Sequence, residues 1–367
     1  MNRRRRTQKF FTSFFITLII IVAAAAGSYA ALRATIRPPS VDEFVEMTIL
    51  SPSMSTPRQR DTSTRHTINT SGTDSQEDLY SFHYMDEEPD PLIFQRRPNV
   101  FTFLLYGLDE GNNADAVLVA SFDADTRDIH VIGFPRDTRV DVNRRVGLRK
   151  LVNSYAAGRA GGRGHDGGVT NFKYEISTLI GFEPDFYVGI RERAFVRLIN
   201  SIGGVEVTVP FHMVYDDPCQ NLHINLPAGR RVLNGEQALH FARFRQANEG
   251  HRAATDIMRT SHHQQIITAA MNELMSPRTI TRIPELVRNY RENVNTDLAD
   301  GEIAWFIEQI SGLHGDFTIH THTIPIESTV RQGWYELPNQ EELLELVNRT
   351  INPFFQEILP EMQRFPQ

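Results

Sequence analysis

Between Phe10 and Leu32 the chain carries no charged residue, and Arg3 to Arg6 stand just before that run. A helix needs about 20 consecutive apolar residues to cross a bilayer. In lipid a lone segment can satisfy its backbone only as a helix. Flanking basic residues stay on the cytoplasmic side. The pattern predicts a cytoplasmic basic tail over residues 1–9, a transmembrane helix over residues 10–32, and an extracytoplasmic location for everything after Arg33. Ser28-Tyr29-Ala30 resembles a signal-peptide cleavage site. The apolar run is nevertheless longer than the roughly 7–15 residues of a cleaved signal's apolar region, which favours an uncleaved anchor in the cell membrane.

Residues 33–97 are rich in Ser, Thr, Pro, Asp and Arg and lack sustained apolar periodicity, so they read as a flexible extracytoplasmic stalk. The apolar islands Phe44 to Leu50 and Leu79 to Phe82 are candidate short helices within it. A formal net charge of -7 without a basic face argues against nucleic acid as a partner. A polyanion site must then be a local arginine cluster. The single cysteine, Cys219, excludes an intramolecular disulfide, and its setting beside Asp216, Asp217 and Pro218 is that of an ordinary loop residue.

Order begins at Val100. The run Val100 to Leu105 is continuously apolar, as in a strand buried on both faces, and it leads into Gly107 and Asp109. Ala116 to Phe122 and Ile129 to Phe134 flank a turn-rich segment and predict a hairpin. Helices are expected at Leu151 to Ala157, Val169 to Ile180, Glu192 to Ile202, from Asn234, and from Asp256 to Met275. Asn234 and Gln237 have the spacing of a capping box. Strands are expected at Phe186 to Ile190 and Val205 to Val209. The alternation continues with helices near Pro284 to Tyr290 and Gly301 to Ile310, a strand near Phe317 to Ile324, and a final helix from Glu341. This alternation predicts a single α/β domain over residues 98–367, with helices on both faces of a mixed central sheet.

Asp109 and Asp115 bracket a short loop between two of these strands. Such a pair suits Mg²⁺, which takes one or two protein carboxylates together with water and phosphate oxygens, but it is also ordinary turn composition. Arg136 stands just past an apolar strand, where ligands of α/β sheets bind, although with Asp137 it can equally form a local ion pair. Arg243 and Arg245 share one side only if the chain is extended there, with Phe244 turned inward; in a helix they would diverge by about 200°. Asp256, Arg259 and His263 form a stripe on one helix, whose bland reading is a surface salt-bridge row.

Three other patterns fail their context. Gly162 to Gly167 matches GxGxxG but follows a helix-like segment and loop, not the strand a dinucleotide site requires, although a looser anion contact at the Val169 helix remains open. His262-His263 and His320-Thr321-His322 have no second ligand cluster, so they read as solvated histidines. A GxSxG nucleophile elbow is missing.

Taken together, the ordered pieces resemble the LytR-CpsA-Psr family of cell-wall glycopolymer ligases. They are Gly107-Leu108-Asp109, Ala114 to Val119, Ile132 to Thr138, Lys150 to Ala156, Ile202 to Val207, Tyr215 to Pro218, Leu233 to Leu239 and Ala242 to Arg245. The resemblance implies an αβα fold, Mg²⁺ held by Asp109 and Asp115 at a pyrophosphate head group, and a hydrophobic tunnel for a polyprenyl tail. It also implies that Arg136, Arg243, Arg245 and Arg259 grip that head group. One departure stands on the Arg259 helix: His262-His263-Gln264 replaces an Arg-Gln-Gln run, so His263 takes the place of a phosphate-contacting glutamine. A neutral imidazole offers one donor for that contact. The implied activity is a Mg²⁺-dependent phosphotransferase that moves a glycopolymer from a polyprenyl-diphosphate carrier to peptidoglycan. Asp109 or Asp115 is also a candidate base for the incoming hydroxyl. Two alternatives use the same residues: a polyprenyl-diphosphate phosphatase, and a non-catalytic lipid-binding regulator of the envelope.

Overall fold

The computed structural model describes residues 36–47, 92–140, 150–218, 222–276, 294–310, 317–330 and 335–365. The Phe10 to Leu32 run, the Leu79 to Phe82 island, Cys219 and the helix expected near Pro284 to Tyr290 lie outside them. Among the described residues, no helix is long and apolar enough to cross a membrane.

The first two strands are not expected from the sequence. β1 (Phe44–Met47) pairs antiparallel with β2 (Leu92–Gln95), and Met47 and Phe94 are buried in the main core. Both segments fall in the region read as stalk, and the Phe44 island is a strand and not a helix. Its apolar side chains gain burial by pairing with a segment distant in sequence, which local periodicity does not reveal. The globular part also starts before Pro98, because Arg96 makes a buried bidentate pair with Asp185 at 2.8 Å.

Six strands make the central sheet: β3 (Val100–Leu108), β4 (Ala114–Asp123), β5 (Asp128–Gly133), β6 (Phe186–Arg191), β11 (Val294–Thr296) and β12 (Thr318–Thr323), in the order β11-β6-β3-β4-β5-β12. β4 pairs antiparallel with β3 and β5, whereas β3–β6 and β5–β12 are parallel, so the sheet is mixed as expected. The period of two in β3 divides its residues between two cores. Leu104, Tyr106 and Leu108 face one core, with Tyr155 of α1 (Ser154–Arg159), Val169, Phe172 and Ile176 of α2 (Gly164–Ile180), and Leu343 and Val347 near the C-terminus. Phe101 and Phe103 face the other, against Phe306 and Ile310. Helices therefore cover both faces, giving the three-layer αβα arrangement.

α2 begins at Gly164, earlier than the apolar pattern suggests, and ends at Gly181 with φ 86°. The glycine-rich run thus lies within a helix pair. A Cβ at Gly158 would come within 2.2 Å of the Gly167 carbonyl, so these glycines permit α1 and α2 to cross closely.

α3 (Glu192–Ile202) follows β6 and leads to a side lobe. There β7 (Val205–Val209) pairs with β10 (Gly229–Leu233), and β8 (Met213–Asp217) pairs with β9 (Leu222–Leu226). α4 (Gly235–Arg243) starts with the expected capping box, its Asn234 side chain accepting from the Gln237 amide and the Gln237 side chain accepting from the Asn234 amide. α5 (Asp256–Leu274) joins lobe and sheet, placing Ile266 and Ala269 in the lobe core and Ile267, Met271 and Leu274 against the sheet core. α6 (Asp300–Ile310) covers the same sheet face. The hairpin β13 (Ile326–Val330) and β14 (Tyr335–Pro338) and helix α7 (Gln340–Thr350) follow, and the last described stretch returns Phe354, Ile358 and Met362 to the main core.

Candidate functional site, an apolar cavity with an ionic mouth

A cavity of about 650 Å³ lies beneath the second face of the sheet. Its wall combines Phe103, Leu118 and Val131 of the sheet with Leu198 of α3, Ala270 of α5 and Phe306 of α6. Packed interiors hold few voids larger than a water molecule. An apolar space this large is the size of a ligand site and suits a long hydrocarbon.

The cavity's aspartates and arginines come from near the ends of strands and helices. Asp109 follows β3 in a tight turn in which Asn112 has φ 65°. Its carboxylate accepts from the Asn113 amide and from Asn113 Nδ2, both at 2.8 Å, which fixes its orientation. Asp115 sits at a register shift: Gly107 pairs with Ala116 and Leu108 with Ala114, so Asp115 is the extra residue of a bulge. Bulges re-aim side chains, and Asp115 takes its place in the cavity wall together with Ala116. Arg136 leaves β5 through the Pro135 turn, and its Nη1 lies 2.5 Å from Asp115 Oδ1. Asp137 is held chiefly by Lys150 at 2.9 Å and only loosely by Arg136 at 3.9 Å, so the Arg136-Asp137 ion pair is the weaker contact.

Arg243 ends α4, and Phe244 is extended (φ -61°, ψ 115°) and fully buried. This meets the condition for the i, i+2 arginines to share a side, and both Arg243 and Arg245 line the cavity. Phe244 is the anchor; emptying a buried aromatic site costs about 3–5 kcal/mol.

Glu192, which the sequence does not single out, belongs to the same mouth. It lies 3.2 Å from Arg243 and lines the cavity. Burial pushes its carboxyl pKa up, Arg243 opposes this, and the charges of Asp109 and Asp115 push it further up. Only position at the start of α3, next to the Asp109 loop in space, identifies it.

Arg259 and His263, on the same helix, have different surroundings. Arg259 is 6% exposed and is not one of the wall residues, but its charge acts on His263, which is. Its burial also excludes a surface salt-bridge row. His263 does line the cavity, but its Nε2–H donates to the Ala242 carbonyl at 3.2 Å. The one donor of the neutral ring is thereby used, and Nδ1 is left as an acceptor. Burial, then the Arg259 charge, pushes His263 down to about 3, so the ring is neutral near pH 7. His262 is buried against Phe241, with ring centroids 4.3 Å apart, and burial pushes it down to about 4. His320 and His322 stack on His130 along paired strands β5 and β12, at 4.7 and 5.6 Å, instead of standing singly in solvent.

Among the described residues, no group of three or more His, Cys, Asp or Glu side chains is arranged to hold a metal ion. Asp109 and Asp115 supply a two-carboxylate set. Both line the same cavity as Arg136, Arg243 and Arg245. A sparse set of this kind fits Mg²⁺, which draws the rest of its octahedron from water and phosphate.

These features define a three-layer α/β protein with a large apolar cavity and an arginine–carboxylate mouth. The sequence profile of the LytR_cpsA_psr family matches residues 61–352, and the chain belongs to that family. The polyisoprenyl-teichoic acid–peptidoglycan teichoic acid transferase TagU of Oceanobacillus iheyensis is 26% identical over 71% of this chain and 78% of its own length. The regulatory protein MsrR of Staphylococcus aureus is 25% identical over 62% of this chain and 65% of its own. The fold is shared with Bacillus subtilis TagV, at 23% identity and a TM-score of 0.56 over 69% of this chain and 96% of that one. It is shared too with TagT bound to LI-WTA, at 20% identity and a TM-score of 0.52 over 69% and 89%.

Proposed function

We propose that this protein transfers a glycopolymer from a polyprenyl-diphosphate carrier to peptidoglycan. The observation that carries the reading is one cavity whose body takes a hydrocarbon and whose mouth presents Arg136, Arg243 and Arg245 beside Asp109 and Asp115. The printed activity of the TagU relative, a teichoic acid transferase acting on peptidoglycan, supports it.

In this reading the polyprenyl tail occupies the apolar body and the diphosphate sits at the mouth. Planar guanidinium groups match phosphate oxygens, and in a water-poor site they stabilise charge that grows in the transition state. A peptidoglycan sugar hydroxyl attacks the phosphorus that bears the glycan. The new P–O bond forms as the bond to the bridging oxygen breaks, polyprenyl phosphate leaves, and the hydroxyl proton passes to Asp109 or Asp115. Asp109 and Asp115 would hold Mg²⁺, which supplies charge neutralisation at the diphosphate. Glu192 positions Arg243. The Phe10 to Leu32 run would anchor the chain with its catalytic domain outside the cell membrane, where lipid donor and wall acceptor meet.

The test follows release of polyprenyl monophosphate from a glycan-bearing donor with and without peptidoglycan fragments. Acceptor-dependent release supports transfer. Equal release in both supports a phosphatase, and tight donor binding with no release supports a lipid-binding regulator.

A further inference from the structure

A second cavity, of about 550 Å³, adjoins the first and shares Leu108, Asp109 and Glu192 with it. Its character is opposite. Three exposed arginines line it: Arg191 at the end of β6, and Arg193 and Arg197 four residues apart on α3, opposite Glu110 and Asn295. Arg191 Nη2 donates to Asn112 Oδ1 at 2.7 Å and braces the Asp109 turn, whereas Arg193 meets Glu110 only at 3.6 Å with both side chains more than four-fifths exposed. An exposed pair of this kind contributes little and is readily exchanged for another anion.

We infer that this arginine-lined cavity is the acceptor subsite, taking a saccharide that carries carboxylates and presenting its hydroxyl at Asp109. The inference rests on the transferase reading above. An attacking oxygen must approach the phosphorus in line with, and opposite, the leaving oxygen. The leaving lipid phosphate belongs to the apolar cavity, so the incoming hydroxyl needs a separate approach that still reaches the same carboxylate. The second cavity meets Asp109 without using the hydrocarbon wall. Its guanidinium groups suit the free carboxylates of a peptide-bearing glycan, and its polar lining does not suit a lipid.

The test compares the full chain with the double variant Arg193→Ala/Arg197→Ala, using a peptide-bearing peptidoglycan oligosaccharide and the same oligosaccharide with its carboxylates amidated. Transfer kinetics and direct binding by titration are both recorded. The expected result is a KM for the oligosaccharide at least tenfold higher in the variant, with donor KM within twofold of the parent and partial recovery in Arg193→Lys/Arg197→Lys. The amidated acceptor should show the weak affinity in parent and variant alike. An unchanged acceptor KM overturns the inference, as does a donor KM that rises in parallel, which would give the cavity to the donor's own glycan. If the parent shows no transfer, the transferase reading fails. The binding arm then decides separately: oligosaccharide binding lost in the variant upholds the subsite, and equal or no binding in both overturns it.

Discussion

The guanidinium of Arg136 lies 2.5 Å from Asp115 Oδ1, across the gap between the end of β5 and a bulge in β4. The β4–β5 register, which pairs Leu118 with Gly133 and continues through the Phe134 amide to the Val117 carbonyl, sets Asp115 opposite Arg136 beyond the paired strands. In the transferase reading the contact would hold Arg136 at the cavity mouth before the diphosphate arrives, leaving little reorganisation on binding. Arg136→Ala should lower transfer by about 10²–10³-fold, the scale for removing one preorganised charge-stabilising donor. Arg136→Lys should recover only part, because the planar fork is lost. Steady-state transfer rates check both.

Glu192 should matter through Arg243. Glu192→Gln is expected to reduce transfer by about tenfold and Arg243→Ala by about a hundredfold, with the double variant close to Arg243→Ala alone. A double-mutant cycle on kcat/KM then yields a coupling of about 1 kcal/mol or more, as for contacting side chains.

Acid should weaken the fold through the α5 histidines. His262 and His263 are pushed down to about 4 and about 3, below the ordinary value of about 6.5. As pH falls below about 6.5 the unfolded chain takes up protons that the folded chain does not, so stability is lost until pH reaches the folded values. One such ring contributes a slope of up to about 1.4 kcal/mol per pH unit. His263→Gln should flatten the pH dependence of denaturant midpoints between pH 6.5 and 4, as ordinary pKa ranges dictate. Glutamine has two N–H donors, one for Ala242 and one for the cavity, so the same variant should keep or improve donor binding.

The cavity body should select tail length. Ala270 lines it from α5, and Ala270→Phe would fill part of the space. Donors with long prenyl chains should lose at least tenfold in KM, while short-chain donors stay within twofold. Overpacking costs about 1–3 kcal/mol in a filled core; a thermal scan showing little loss here would confirm that the side chain enters open space.

Chelation should stop turnover, and added Mg²⁺ should restore it. Asp109→Asn and Asp115→Asn should each raise the Mg²⁺ concentration needed for half-maximal rate, read from metal titrations.

Much of this arrangement was legible in the sequence because it follows local rules. The apolar run of β3, the capping box at Asn234, the Gly181 stop and the buried Phe244 between two arginines all act within a few residues. What escaped depends on distance along the chain. Met47 reaches the core only through pairing with β2, and Glu192 joins the site because α3 starts beside the Asp109 loop. Arg259 and His263 share a helical stripe, yet their surroundings differ: Arg259 is buried, while His263 reaches the cavity with its donor already used. Helical spacing specifies a direction on the helix, not what lies opposite.

The central claim is covalent transfer, and the most direct measurement is the mass of peptidoglycan fragments after incubation with protein, Mg²⁺ and a polyprenyl-diphosphate glycan. The account predicts fragments heavier by the glycan and one bridging phosphate, formed by the parent protein and not by Arg136→Ala. Fragments of unchanged mass beside free glycan phosphate, or beside untouched donor, would contradict it.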